Sequence, residues 1–292
     1  MNSGIILLNK KSGITSFDTL RDIKRSIGTG KVGHTGTLDK FACGLLIVLA
    51  GRALKLSRWF SHSDKKYKGR VHFGTETDTL DPEGEEIASA ALPSRENVQN
   101  VLTQFTGNIM QEPPVFSAIH INGKRASSLA RSGQIPVMKK RPVTIHKLEL
   151  LGWEPPFADI FVHCSSGTYI RALARDIALA AGSRGYLESL VRTQVGGFCL
   201  EETQTEECGK EINVLPIDKN VISKLGFPWF DVTQQEAQAI SHGKPLDQIL
   251  QNKNMLFSVN SFPNKIMAVF CEEMLAAMIE KIKDKWKYVY VM

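Results

Sequence analysis

GHTGTLDKFACGLLIVLAG, Gly33–Gly51, sets one carboxylate, Asp39, between a glycine- and threonine-rich turn and a long apolar run. Leu45–Ala50 carries no charge and reads as a buried strand. Most Asp residues sit on solvated faces, yet Asp39 stands at the mouth of a segment that must be buried. With no companion acid near it in sequence, it suits nucleophilic catalysis better than paired acid–base work or metal-assisted hydrolysis. His34 and Asp39 lack a third ligand at metal spacing, so no metal is expected. The competing use of Asp39 is as a turn cap. If it is buried and ionised it needs a cation. Arg171, which begins a helix immediately after a strand and turn, is the leading candidate.

Working outward, Gly4–Asn9 reads as a strand. Ser16 can cap a helix whose apolar stripe is Phe17, Leu20, Ile23 and Ile27, stopped by Gly28. From Tyr67 to Phe73 apolar and basic residues alternate as in a strand, with Tyr67, Gly69, Val71 and Phe73 on one face. Tyr67 fits either a core position or stacking on a nucleobase, and Tyr169 carries the same two readings. Ser94 opens a helix with Val98, Val101, Leu102 and Phe105 on one stripe, closed by Gly107. Ile160, Val162 and Cys164 mark another strand, followed by a helix from about Tyr169 to Ala181 ended by Gly182. Phe227-Pro228-Trp229 reads as a boundary, giving a large domain over 1–228 and a small β-rich one over 229–292. In the latter, Thr233 and Glu236 form a capping box. Strands are expected around Leu256–Val259, Ile266–Cys271 and Tyr288–Val291.

The 292 residues carry a net charge of +6, unevenly placed. Between Pro113 and Lys147 stand Lys124, Arg125, Arg131, Lys139, Lys140, Arg141 and Lys147 with no acid, in a proline-punctuated segment that reads as irregular. Such a segment points to a polyanion, nucleic acid above all. The five cysteines are odd in number and widely spaced, which fits free thiols in a reducing compartment. No signal-peptide pattern opens the chain, and Phe41–Gly51 falls well short of the roughly 18 residues of a membrane span. A cytoplasmic protein without membrane attachment is expected. Gly28, Gly30 and Gly33 spell GxGxxG, but a charged helix precedes them and no helix follows, so they are not a dinucleotide site.

At this point the residues resemble the pseudouridine synthases, in the branch that modifies the tRNA T-loop. GHTGTLDKFACGLL is similar to the family's catalytic motif and NKKSGITS to its N-terminal one. KKYKGRVHFGTETDTLDPEGE resembles its tyrosine-bearing strand and loop. QEPPVFSAIHINGKRASSLARSG resembles its RNA-gripping insertion, and SSGTYIRALARDI with LVRTQVGGF its arginine-bearing motif. Lys11 and Lys40 stand where the family usually has proline, and His120 and Ser127 where Lys and Tyr are common. These departures touch RNA contacts and remove no reacting group.

The resemblance implies an α/β fold with a mixed, largely antiparallel sheet, flanking helices and a PUA-like C-terminal domain. It implies isomerisation of uridine 55 in tRNA to pseudouridine without a cofactor, by a protein acting alone as a monomer on the T-arm. Asp39 would be the nucleophile, on base or ribose, with Arg171 as its partner. Tyr67 would stack on the flipped uracil and take its C5 proton. His34 would fill the vacated stack, Tyr169 and Leu190 would wall the pocket, and Lys124, Arg125 and Arg131 would contact phosphates. A non-catalytic RNA-binding module would not need Asp39, Arg171 and Tyr67 together. A guide-dependent synthase generally carries a longer, more basic C-terminus.

Overall fold

The computed structural model describes residues 3–134, 136–204, 212–246, 249, 266–283 and 285–292. The chain opens with β1 (Gly4–Lys10), α1 (Ser16–Ile27), β2 (Val32–His34), β3 (Cys43–Ala50) and α2 (Ser57–His62). There follow β4 (Lys65–Phe73), the short strands β5 (Thr75–Thr77) and β6 (Glu86–Ser89), α3 (Arg95–Leu102) and β7 (Gly107–Gln111). The basic segment holds β8 (His120–Ile121), β9 (Lys124–Arg125) and α4 (Ala126–Arg131). Two long strands, β10 (Arg141–Glu154) and β11 (Phe157–Cys164), lead into α5 (Ile170–Ala180), β12 (Gly185–Val195) and β13 (Phe198–Cys199). The remainder is α6 (Lys219–Lys224), β14 (Trp229–Asp231), α7 (Gln234–Ser241), β15 (Ile266–Cys271), β16 (Met274–Ile282) and β17 (Lys285–Val291).

The central sheet runs β1-β3-β12-β4-β11-β10-β7, with β2 added on β3 and β13 on β12. Every pairing in it is antiparallel except β12 with β3. This is the mixed, largely antiparallel α/β sheet that the family resemblance implies. At the parallel junction Gly44 has φ +105°, and a Cβ there would lie 2.4 Å from the carbonyl oxygen of Arg192. Only glycine lets β3 approach β12 so closely.

The unbroken apolar run of β3 is explained by cover on both faces. Leu46, Val48 and Ala50 pack with Leu20, Ile23 and Ile27 of α1. Leu45, Ile47 and Leu49 share a second cluster with Phe270, Met278 and Tyr290 of the C-terminal strands. Each such fully buried aliphatic contributes about 1.5–3 kcal/mol. The C-terminal sheet β14-β15-β16-β17 thus rests on the same core as the N-terminal strands.

The structure alters several local expectations. Thr15, not Ser16, caps α1, in a reciprocal box with Asp18. Both residues could cap, but the acid three positions on completes the box only for Thr15. Phe17 is 67% exposed and off the buried stripe, which instead comprises Ser16, Thr19, Leu20, Ile23 and Ile27. Gly28 is the left-handed C-cap of α1, and Gly33 lies within β2, followed by a loop rather than a nucleotide-binding helix. α3 ends at Leu102 and a 3-10 turn follows, so Gly107 opens β7 instead of closing a helix. The basic segment is not irregular throughout, because from Arg141 it is already the long strand β10. The capping box of Thr233 and Glu236 is present on α7, and β15 spans Ile266–Cys271. β16 was not expected, and the expected strand at Leu256–Val259 lies outside the described residues. Among the described residues no helix is long and apolar enough to cross a membrane.

Candidate active site

Asp39 lies in the connection between β2 and β3, and almost every residue around it is held by a polar contact. On one side the Ser16 hydroxyl donates to the Leu38 carbonyl and accepts from the Leu38 N–H, both at 3.0 Å. The capping residue expected from sequence therefore positions Asp39's neighbour instead. Lys10, fully buried, donates from Nζ to the carbonyls of Ala42 at 2.7 Å and Lys40 at 3.4 Å. On the other side Arg192, also buried, donates to the carbonyls of Leu45 at 2.8 Å and Gly36 at 3.1 Å. Two buried cations thus grip the loop by its carbonyls, so each charge meets oxygen dipoles instead of water.

Arg171 projects from the first turn of α5, where Gln111 fixes the backbone before it. The Tyr169 N–H donates to Oε1 of that amide at 2.9 Å, and its Nε2 donates to the Tyr169 carbonyl at 3.1 Å. The Arg171 side chain is 7% exposed, and its five N–H groups face five oxygens. Nε lies 3.0 Å from Asp39 Oδ2, and Nη2 donates to Asp39 Oδ1 at 3.3 Å. Nη1 donates to Asp81 Oδ2 at 3.0 Å and to the Thr79 carbonyl at 2.7 Å. Nη2 also donates to the Phe116 carbonyl at 3.0 Å.

Asp39 therefore does have a companion acid, contrary to its isolation in sequence. Asp81 lies on the loop between β5 and β6, and the two carboxylates share one guanidinium. Asp81 is anchored further by the Thr79 hydroxyl, which donates to its Oδ1 at 2.6 Å, and by the Glu83 N–H at 3.1 Å. Lys40 reaches Glu83 at 3.0 Å and ties the two loops across the surface.

Burial pushes the Asp39 carboxyl above the usual carboxylate range, and Asp81 adds to that, while Arg171 and Lys10 act against it. Burial likewise raises Tyr67, whose hydroxyl faces the Arg192 guanidinium. Lys65 is lowered to about 8 by burial and by the charge of Arg192.

These groups open on a cleft of about 590 Å³, within the range of small-ligand sites. Asp39, Arg171, Tyr67, Tyr169 and Leu190 all line it, with Arg125 and Arg131 at its wall. Two predicted residues fall outside that lining. Lys124 is exposed on the β8–β9 hairpin. His34 sits in β2 with its Nδ1 buried and without a hydrogen-bond partner among the described residues. Burial and Arg192 lower its pKa, favouring the neutral imidazole.

Sequence reasoning did not single out Asp81, Arg192, Lys10, Lys65 or Gln111. A charged residue terminating an otherwise apolar strand is a usable signal for Lys10. No local pattern marks the others. Cys43, Cys164, Cys199 and Cys271 are free thiols. Among the described residues, three potential metal ligands converge at Asp64, His146 and His163, outside the cleft lining.

The family model described as TruB family pseudouridylate synthase (N terminal domain) matches residues 24–170. The tRNA pseudouridine synthase B of Borreliella burgdorferi (strain ZS7) is 36% identical over 294 aligned residues, covering 100% of both chains. That of Treponema denticola is 45% identical over 218 residues, 68% of this chain and 61% of the relative. That of Arthrobacter sp. (strain FB24) is 38% identical over 253 residues, covering 84% and 82%. Among solved structures, a crystal structure of a Cbf5-Nop10-Gar1 complex superposes with a TM-score of 0.71 at 22% identity, over 99% of this chain and 85% of that one. This last likeness is one of fold. Sequence identity over the full chain and the match to the family model together establish that the chain belongs to the TruB family of pseudouridylate synthases.

Proposed function

We propose that this protein isomerises uridine 55 in the T-loop of tRNA to pseudouridine, with Asp39 as nucleophile and no cofactor. The observation that carries this reading is the two-point contact between Arg171 and Asp39 in a cleft with cations at its wall. An isolated carboxylate in such a place drifts towards its neutral form. A guanidinium held by three other oxygens keeps it ionised and aimed.

The reaction breaks the bond from ribose C1′ to N1 of uracil, turns the base and forms a bond from C1′ to C5. The proton leaves C5 and one is gained at N1, so no redox partner is required. The target stacks inside a folded loop and must be flipped out, at a cost of a few kcal/mol. His34 fills the stack it vacates. Tyr67 stacks on the extruded uracil and takes the C5 proton, with Arg192 beside its hydroxyl stabilising the phenolate. Tyr169 and Leu190 wall the pocket. Lys124, Arg125 and Arg131 hold phosphates of the T-arm, and the protein works as a monomer.

The test is incubation of the purified protein with a T-arm transcript, followed by chemical mapping of pseudouridine. Conversion at position 55 without added protein, guide or metal is expected. No conversion on any T-arm, with binding retained, would replace the enzyme with an RNA-binding module.

The phosphate assignment predicts the salt dependence of binding. Each cation that displaces counterions adds about 0.7–0.9 to the slope of log K against log salt. Replacing Lys124, Arg125 and Arg131 together by Ala is expected to flatten that slope by about 2, read from RNA binding across a salt series. An unchanged slope would remove these side chains from the phosphate contacts.

A further inference from the structure

Three side chains converge beside the neighbouring strands β4, β11 and β10. Asp64 immediately precedes β4, His146 is the sixth residue of β10, and His163 is the penultimate residue of β11. Ile145 pairs with Cys164 and Lys147 with His163, so His146 is the extra residue of a bulge. A bulge re-aims a side chain that strict alternation would send elsewhere. Here it brings His146 beside His163, with ring centroids 4.7 Å apart. Both imidazoles direct Nε2 at the same carboxylate oxygen, Asp64 Oδ2, at 3.1 Å from His146 and 3.9 Å from His163. All three ligand atoms lie within 4.8 Å of one another.

We propose that Asp64, His146 and His163 form a binding site for a divalent transition-metal ion, Zn²⁺ in the first instance. An ion pair alone would use one imidazole, whereas here a second is aimed at the same oxygen. Zinc bonds of about 2.0–2.2 Å in a tetrahedral site put ligand atoms about 3.4 Å apart. The Asp64–His146 separation of 3.1 Å already lies near that value, and the Asp64–His163 separation of 3.9 Å would shorten on binding. Two imidazoles and a carboxylate suit zinc and its neighbours rather than magnesium or calcium. Of the nearby lysines, Lys147 is engaged by Glu149 at 2.9 Å, while Lys65 and Lys66 are cations that oppose metal uptake.

A metal here would pin three strands one residue before Lys65, which lines the cleft. It would stiffen that wall without touching the reacting atoms.

The test is calorimetric titration of ZnCl₂ into the chelator-stripped full-length protein, alongside the H146A/H163A and D64N variants. The expected result is a site of micromolar or tighter affinity in the wild type that disappears in H146A/H163A and weakens at least tenfold in D64N. A rise in melting temperature on adding Zn²⁺ should be seen for the wild type and not for the double variant. The proposal is overturned if the wild type takes up no Zn²⁺ at 100 µM, or if the variants bind with unchanged stoichiometry and affinity. All three residues are partly or fully exposed, so the variants are expected to fold, and D64N alone decides the matter if H146A/H163A does not.

Discussion

Asp39→Asn is expected to abolish turnover, by at least about 10⁴-fold, while binding of the T-arm stays within a few-fold of wild type. A loss of that size corresponds to about 5.5 kcal/mol of transition-state stabilisation. The amide is nearly isosteric and keeps an oxygen for the Arg171 fork, so the loops should hold their places. What disappears is the negative charge that makes the oxygen a nucleophile. Single-turnover assays and a binding titration on the same transcript separate the two effects. Substantial residual turnover would remove Asp39 from the nucleophile's role.

The same assignment fixes a pH dependence. Because burial and Asp81 raise the Asp39 pKa, the ionised form is lost on acidification earlier than for a free carboxylate. Turnover should therefore fall as pH decreases through a value above 3.8, the ordinary carboxylate value, and be flat above it until another group titrates. A pH–rate profile under single-turnover conditions reads this limb. An acid limb at or below the ordinary value would contradict the environment described for Asp39.

Arg171→Met should cost both activity and stability. Its guanidinium is the cation for Asp39 and for Asp81, whose side chain is only 7% exposed. Removing one partner of a buried ion pair typically costs about 3–5 kcal/mol, because the other charge is left uncompensated. Denaturant unfolding should show a loss of that order, with turnover below detection. Adding Asp81→Asn to Arg171→Met should recover part of the stability and none of the activity. If the double variant is no more stable than the single one, the cost came from the lost carbonyl contacts to Thr79 and Phe116 rather than from a stranded charge. Arg171→Lys should restore some stability but little turnover, since an ammonium cannot make the planar two-point contact.

Lys10 and Arg192 put these predictions in a wider frame. Each is a buried cation spent on carbonyl groups of the Asp39 loop, an expensive arrangement if stability alone were at issue. Its effect is to hold the loop by contacts from both sides, so Asp39 is positioned without any ligand present. Preorganisation of that kind is worth more in catalysis than in folding.

Much of the fold is legible locally. The double-faced burial of β3 follows from its uninterrupted apolar run, and the alternation along β4 from its period of two. The ends of α1 and α5 follow from glycines at their C-termini, and the box on α7 from Thr233 and Glu236. Errors arose where two local solutions compete. Thr15 and Ser16 could each cap α1, and the choice depended on Asp18 for one and on a distant loop carbonyl for the other. Phe17 matched a helical spacing yet lay off the face set by Thr19 and Ser16, small polar residues that packing can bury once they are hydrogen-bonded.

The chemistry divides in the same way. Residue types and spacing alone place one carboxylate at the edge of a buried strand, gather cations without acids in one segment, and set the motifs in the order of a known family. Those are properties of residue type and spacing along the chain, which local physics and resemblance can read. Only the tertiary structure decided that Asp39 shares its arginine with Asp81, that Lys10 and Arg192 hold its loop from opposite sides, and that Asp64, His146 and His163 meet. Each of these depends on strand and loop pairing, the last also on a bulge, that brings together residues 17 to 156 positions apart in sequence. Charges at such separations interact through contact, and contact is created only when the strands pair.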